Sequence, residues 1–113
     1  MKISREDVGE NTAIMRLEGE LLGGPESDEI RQAVRLALTD GRRFVLMDLG
    51  KVPWMTSGGI GLLTRLHTTL KRSHGKLTLL HPSERVKRIL IVTGLIAVFE
   101  CFADEAEALQ SFE

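Results

Sequence analysis

Phe44-Val45-Leu46-Met47 is apolar on both of the faces that a strand presents. Successive strand side chains point to opposite sides, so this run needs cover above and below and belongs in the middle of a sheet. Its surroundings alternate between strand-like and helix-like patterns. Ala13, Met15 and Leu17 share one side of a half-buried strand, with Thr12 and Arg16 on the other. Lys2–Arg5 reads as a short partner strand, joined through the turn Gly9-Glu10-Asn11. Gly23-Gly24-Pro25 breaks the chain, and Ile30, Ala33, Val34, Ala37 and Leu38 then recur at helical spacing as far as Gly41.

Beyond the central strand, a second helix is expected from about Gly58 to Arg72, with Ile60, Leu63, Leu66 and Leu70 inward and Gly75 after its end. Leu77–Leu80 reads as another buried strand. Ser83 is placed to cap a third helix through Thr93, with Val86, Ile89 and Leu90 on one side and Gly94 as its stop. Val98–Phe102 reads as a last strand, and Ala103–Phe112 as a closing helix with Ala106, Leu109 and Phe112 inward. The order β-β-α-β-α-β-α-β-α implies an α/β fold with a mixed, mainly parallel sheet and about four helices. Sites in such sheets favour the carboxyl ends of the strands. That rule points to the loops Gly19–Pro25 and Asp48–Gly59.

A chain of 113 residues suits one domain, spanning 1–113. Lys plus Arg is 15 and Asp plus Glu is 16, a net charge of −1, so nucleic acid is not expected as a partner. Arg42-Arg43 and Arg85-Val86-Lys87-Arg88 then read as solvated surface. The lone Cys101 allows no internal disulfide and no paired-cysteine zinc site, which suits the reducing cytoplasm. Met1–Glu10 lacks the apolar segment of a secretory signal, and no apolar run nears the ~20 residues of a membrane span, so membrane insertion is not expected.

The stretch Val52-Pro53-Trp54-Met55-Thr56-Ser57-Gly58-Gly59-Ile60-Gly61 carries most of the functional signal. It runs from a buried strand into a helix and sets two hydroxyls where backbone N–H groups have no helical partner. The glycines allow a tight turn and the close approach of another surface. A phosphate on Ser57 would face the positive end of the helix. Thr56 or Ser57 can equally serve as a simple cap, and a capping hydroxyl can also be a kinase target. Trp54 and Met55 are candidate anchors for a partner, the alternative being that they cover the core.

Catalysis finds little support. Met55 is too bulky for a nucleophile elbow at Ser57, and His67, His74 and His81 do not converge on it. Gly58-Gly59-Ile60-Gly61 lacks the Lys-Ser/Thr of a phosphate-binding loop, and the histidines lack metal-ligand spacing. No catalytic residue, metal or cofactor is expected.

The loop, taken with the order of elements, resembles the STAS family of bacterial anti-sigma-factor antagonists. That family's pattern is an Asp, two hydroxyl residues and Gly-Leu-Gly at the start of the second helix. Gly59-Ile60-Gly61 stands for Gly-Leu-Gly, Thr56 occupies the Asp position, Ser57 the first hydroxyl, and Gly58 the second. Leu17-Glu18-Gly19-Glu20-Leu21 resembles the family's Gly-x-Leu lead into the first helix, without the Asp that frequently follows. Val92-Thr93-Gly94-Leu95 and Glu107-Ala108-Leu109 resemble its third helix end and closing helix.

The resemblance implies partner switching. The domain docks on an anti-sigma factor that is also a serine kinase, phosphorylation of the loop dissolves the complex, and a phosphatase restores it. Because the second hydroxyl is replaced by Gly58, the phosphoacceptor candidates are Ser57 first and Thr56 second. The expected partner-binding residues are Gly23, Trp54, Met55, Thr56, Ser57, Gly58 and Gly59. The alternative use of the same fold is a constitutive docking subunit of a transporter or lipid-transport complex. An exposed N-terminal edge strand also offers a route to a homodimer.

Overall fold

The computed structural model describes residues 1–113. Five strands form one sheet in sequence order: β1 (Lys2–Val8), β2 (Thr12–Glu18), β3 (Phe44–Lys51), β4 (Lys76–Leu80) and β5 (Cys101–Phe102). β1 pairs with β2 antiparallel, and every later pairing is parallel. Helix α1 (Glu26–Thr39), α2 (Ser57–Arg72) and α3 (Glu84–Val92) connect the parallel strands, and α4 (Glu105–Gln110) closes the chain.

This strand order decides where the helices go. Each parallel crossover advances by one strand in the same direction, and right-handed crossovers of that kind all cover one face. The core is built accordingly. Ala13, Met15, Val45, Met47, Leu77 and Leu79 face Ile30 and Val34 of α1, Ile60 and Leu63 of α2, and Val86 and Leu90 of α3. The opposite face has only α4. There Ile14, Leu46 and Leu80 meet Ala108, with Phe102, Leu109 and Phe112 packed around them. The central strand is therefore covered on both sides at Val45–Met47, as its composition requires, but one cover is much smaller than the other.

The expected elements are present, but β1 and β3 run on to Val8 and Lys51, past the expected ends at Arg5 and Met47, because their ladders with β2 and β4 continue there, and three further corrections follow. The last strand is two residues long rather than Val98–Phe102. Gly94 takes a left-handed φ of 77°, and Leu95–Ala97 tightens into a 3₁₀ turn, with Phe99 N–H donating to Leu95 O at 3.1 Å. The coil delivers Phe99 into the core and leaves Val98 exposed. The closing helix begins two residues later than Ala103, because the Asp104 side chain caps it by accepting from Ala106 N–H at 3.0 Å. Ala106 is exposed as a result, and Ala108 takes the inward place. No helix is long and apolar enough to cross a membrane.

Candidate functional site

The loops after β2 and β3 meet. Leu21 and Met55 form a single parallel bridge beyond the strand ends, with Leu21 N–H donating to Trp54 O at 3.0 Å and Thr56 N–H donating to Leu21 O at 3.1 Å. Gly19 N–H reaches Lys51 O at 3.0 Å just before this bridge. The pairing carries the head of α2 directly against Leu21–Gly24.

Three glycines make that approach close. Gly23 has φ +76°, and a Cβ there would lie 2.5 Å from Gly58 C. A Cβ on Gly58 would lie 2.5 Å from Leu22 O. Gly59 is buried, with its would-be Cβ against Leu21 O. Contacts this short have no room for a side chain, so Gly23 and Gly58 interlock backbone to backbone.

Thr56 adds a side-chain bond to the same corner. As N-cap of α2 its Oγ1 accepts from Gly59 N–H at 3.4 Å, and its hydroxyl donates to Leu22 O at 2.9 Å. Glu26 holds the loop from the other end: Oε1 accepts from Leu22 N–H at 2.6 Å and Gly24 N–H at 3.2 Å. Desolvation raises the Glu26 pKa, but these backbone donors outweigh it and hold the carboxyl below its ordinary value.

The predicted site residues therefore separate into four groups. Ser57, Gly23 and Gly58 are exposed at the corner, and Ser57 Oγ makes no hydrogen bond within the chain. Trp54 is 37% exposed, with the Arg85 guanidinium 4.7 Å over its ring. Met55 is 1% exposed and part of the main core, so its side chain anchors the corner from within and is corrected from a partner-facing role. Gly59 is likewise a packing residue rather than a contact surface. Thr56 is half-buried and its hydroxyl is engaged twice.

The histidines stay apart from Ser57. His67 lies ten residues further along α2, about 15 Å away at 1.5 Å per residue, and packs edge-on against Phe99 at 5.3 Å. His81 lines the opposite sheet face, where its Nδ1 stands 3.5 Å from Asp48 Oδ1.

That opposite face holds a polar cluster which the sequence pattern did not single out. Arg16 and Asp48 are register partners on β2 and β3. The Arg16 guanidinium reaches Asp48 at 2.9 Å, Glu6 at 2.9 Å and Glu105 at 3.0 Å. Burial raises the Asp48 pKa, while the Gly50 N–H, Arg16 and His81 more than offset it and hold the carboxyl below its usual range. The cluster borders an open cavity of about 380 Å³ lined by Ser4, Lys51 and His81 among others. A signal existed: Arg16 lies between Met15 and Leu17, and Asp48 between Met47 and Leu49, so each is a charge inside an apolar run. Only the strand register brings the two together.

The first two parallel strands thus end in an interlocked, solvent-facing corner. The sequence model of the STAS domain matches residues 5–108. The chain belongs to the STAS domain family. BtrV of Bordetella bronchiseptica, provisionally named an anti-sigma factor antagonist, is 20% identical over the whole chain and 96% of its own length. The anti-sigma factor antagonist SpoIIAA in its unphosphorylated form superposes with a TM-score of 0.82 at 26% identity, over 97% of this chain and 95% of that one. A sulfate transporter family protein of Wolinella succinogenes has the same fold, with a TM-score of 0.80 at 17% identity over 94% of this chain and 88% of that one.

Proposed function

We propose that the chain is an anti-sigma factor antagonist of the cytoplasm, acting by binding and not by catalysis. Its partner is an anti-sigma factor of the serine-kinase type, which docks on the corner formed by Gly23, Trp54, Thr56, Ser57 and Gly58. Phosphorylation of Ser57 by that kinase ends the complex, and a phosphatase renews it. The observation that carries the reading is the contrast between the two hydroxyls. Thr56 is half-buried, with its hydroxyl donating to Leu22 O and accepting from Gly59 N–H, whereas Ser57 is exposed and unengaged one residue further on. A kinase can reach Ser57 without disturbing the fold. The likeness to SpoIIAA, which exists in unphosphorylated and phosphorylated forms, supports the same assignment.

The physics of the switch is local. A phosphate adds about −1.5 to −2 charges at neutral pH. At the head of α2 it meets unpaired N–H groups and a favourable helix dipole, so the isolated domain tolerates it. Inside a packed interface the same charge loses its water, and against an acidic surface it is repelled, at a cost of several kcal/mol. Affinity falls by two orders of magnitude for every ~2.8 kcal/mol.

The reading is tested by incubating the chain with its co-purifying kinase-type partner and ATP, then mapping the product by mass spectrometry. One phosphate on Ser57 and none on Thr56 is the expected result. A partner that is a transporter subunit, with no phosphate transferred, would support constitutive docking instead. Gly58, which lacks the second hydroxyl, is the feature that favours this second reading.

A further inference from the structure

The five corner residues are far fewer than the roughly 20–30 a side that a specific interface uses. The surface beside it has a consistent character. Arg85, at the head of α3, stacks on Trp54 at 4.7 Å and forms no ion pair. Arg88 is exposed one turn on and is equally unpaired. Ile91 and Val92 follow, 61% and 78% exposed, neighbouring β-branched residues near the end of the helix. At 1.5 Å per residue, Arg85 to Val92 spans about 10 Å. Leu22, 44% exposed, lies at the corner end. The one acid on α3 is Glu84, which points to Lys87 at 3.7 Å. Apolar side chains and unpaired arginines therefore run side by side from the corner along α3.

We infer that this strip, from Leu22 and Trp54 through Arg85 and Arg88 to Ile91 and Val92, is the second half of the docking surface. It fits a protein partner whose facing surface is apolar and acid-rimmed. The inference rests on the proposed function and names the chemistry of the partner at that same site. Charge decides between occupants. A second copy of this chain would set arginines against arginines about a two-fold axis. An anionic membrane calls for clusters of about four to eight basic residues, and α3 has three in a chain of net charge −1. An acidic partner also explains why a phosphate on Ser57 would be repelled there.

The test uses the full chain and the purified kinase-type anti-sigma factor recovered with it, titrated by calorimetry. The double variant Arg85→Glu plus Arg88→Glu is expected to bind at least tenfold more weakly, and Val92→Asp severalfold more weakly. Arg35→Glu, an equal charge change on exposed α1, should bind like the parent. Circular dichroism confirms that each variant is folded. Parental affinity in the double variant, with binding by the parent intact, overturns the strip and leaves the corner standing. Absence of any kinase-type partner for the parent overturns the functional reading and the strip with it. Sedimentation of the parent with phosphatidylglycerol vesicles, lost in the double variant, overturns the protein partner as occupant.

Discussion

The interlocked corner and the Arg16–Asp48 cluster sit on opposite faces of the same sheet, and under the proposed function they invert the usual signs of a site. The cluster has a cavity, a shifted carboxyl, a nearby histidine and converging charges. Each of those is a common mark of an active site. Yet its charges satisfy one another: Arg16 holds three carboxylates from β1, β3 and the head of α4, and so ties the small helix to the sheet. The corner's charged group is Glu26, whose carboxylate is taken up by the backbone N–H groups of Leu22 and Gly24. The corner is held by backbone contact at Gly23 and Gly58 and by one hydroxyl at Thr56, and it leaves Ser57 free. A site that works by being touched needs a rigid outline more than a pocket.

This contrast can be broken at either end. The largest effect is expected from Gly23→Val, which adds a side chain at positive φ against the backbone of Gly58. Strain and overpacking together should cost about 3 kcal/mol, and docking should fail even where the protein remains folded. Thermal melting and partner titration read the two parts. Thr56→Val removes the cap of α2 and the tie to Leu22, and should cost about 1–2 kcal/mol. Thr56→Ser keeps the oxygen and should restore both stability and binding in the same assays. Arg16→Met on the other face is expected to lose only about 1 kcal/mol, because the guanidinium is one-third exposed and its pairs are screened. Its partner affinity should match the parent. Weakened docking in Arg16→Met would mean that the two faces are not functionally distinct.

Much of the framework is legible in the sequence. Period-two patterning located β2, the apolar runs located β3 and β4, and the helical spacing of Ile30 to Leu38 and Ile60 to Leu70 located α1 and α2, because each is a local signal of burial. Ser83 and Thr56 were readable as caps, and both accept the expected backbone N–H bond. What failed was long-range. The short β5 follows from a 3₁₀ turn whose purpose is to seat Phe99 in the core, and nothing near Val98 announces it. Met55 is open to two readings beside Trp54, partner anchor or core cover, and the bridge to Leu21 decides for the core. The Gly23–Gly58 interlock joins residues 35 apart in sequence, so the glycines are visible and their meeting is not. The asymmetric covering of the sheet required the strand order itself.

The central claim is that Ser57, on a corner fixed by Gly23, Gly58 and Thr56, decides whether the partner binds. Its most direct test is the affinity of the kinase-type anti-sigma factor for Ser57→Asp and Ser57→Ala beside the parent chain. Loss of at least a hundredfold in Ser57→Asp with near-parental binding in Ser57→Ala is the predicted result. Equal affinity for all three chains would contradict it.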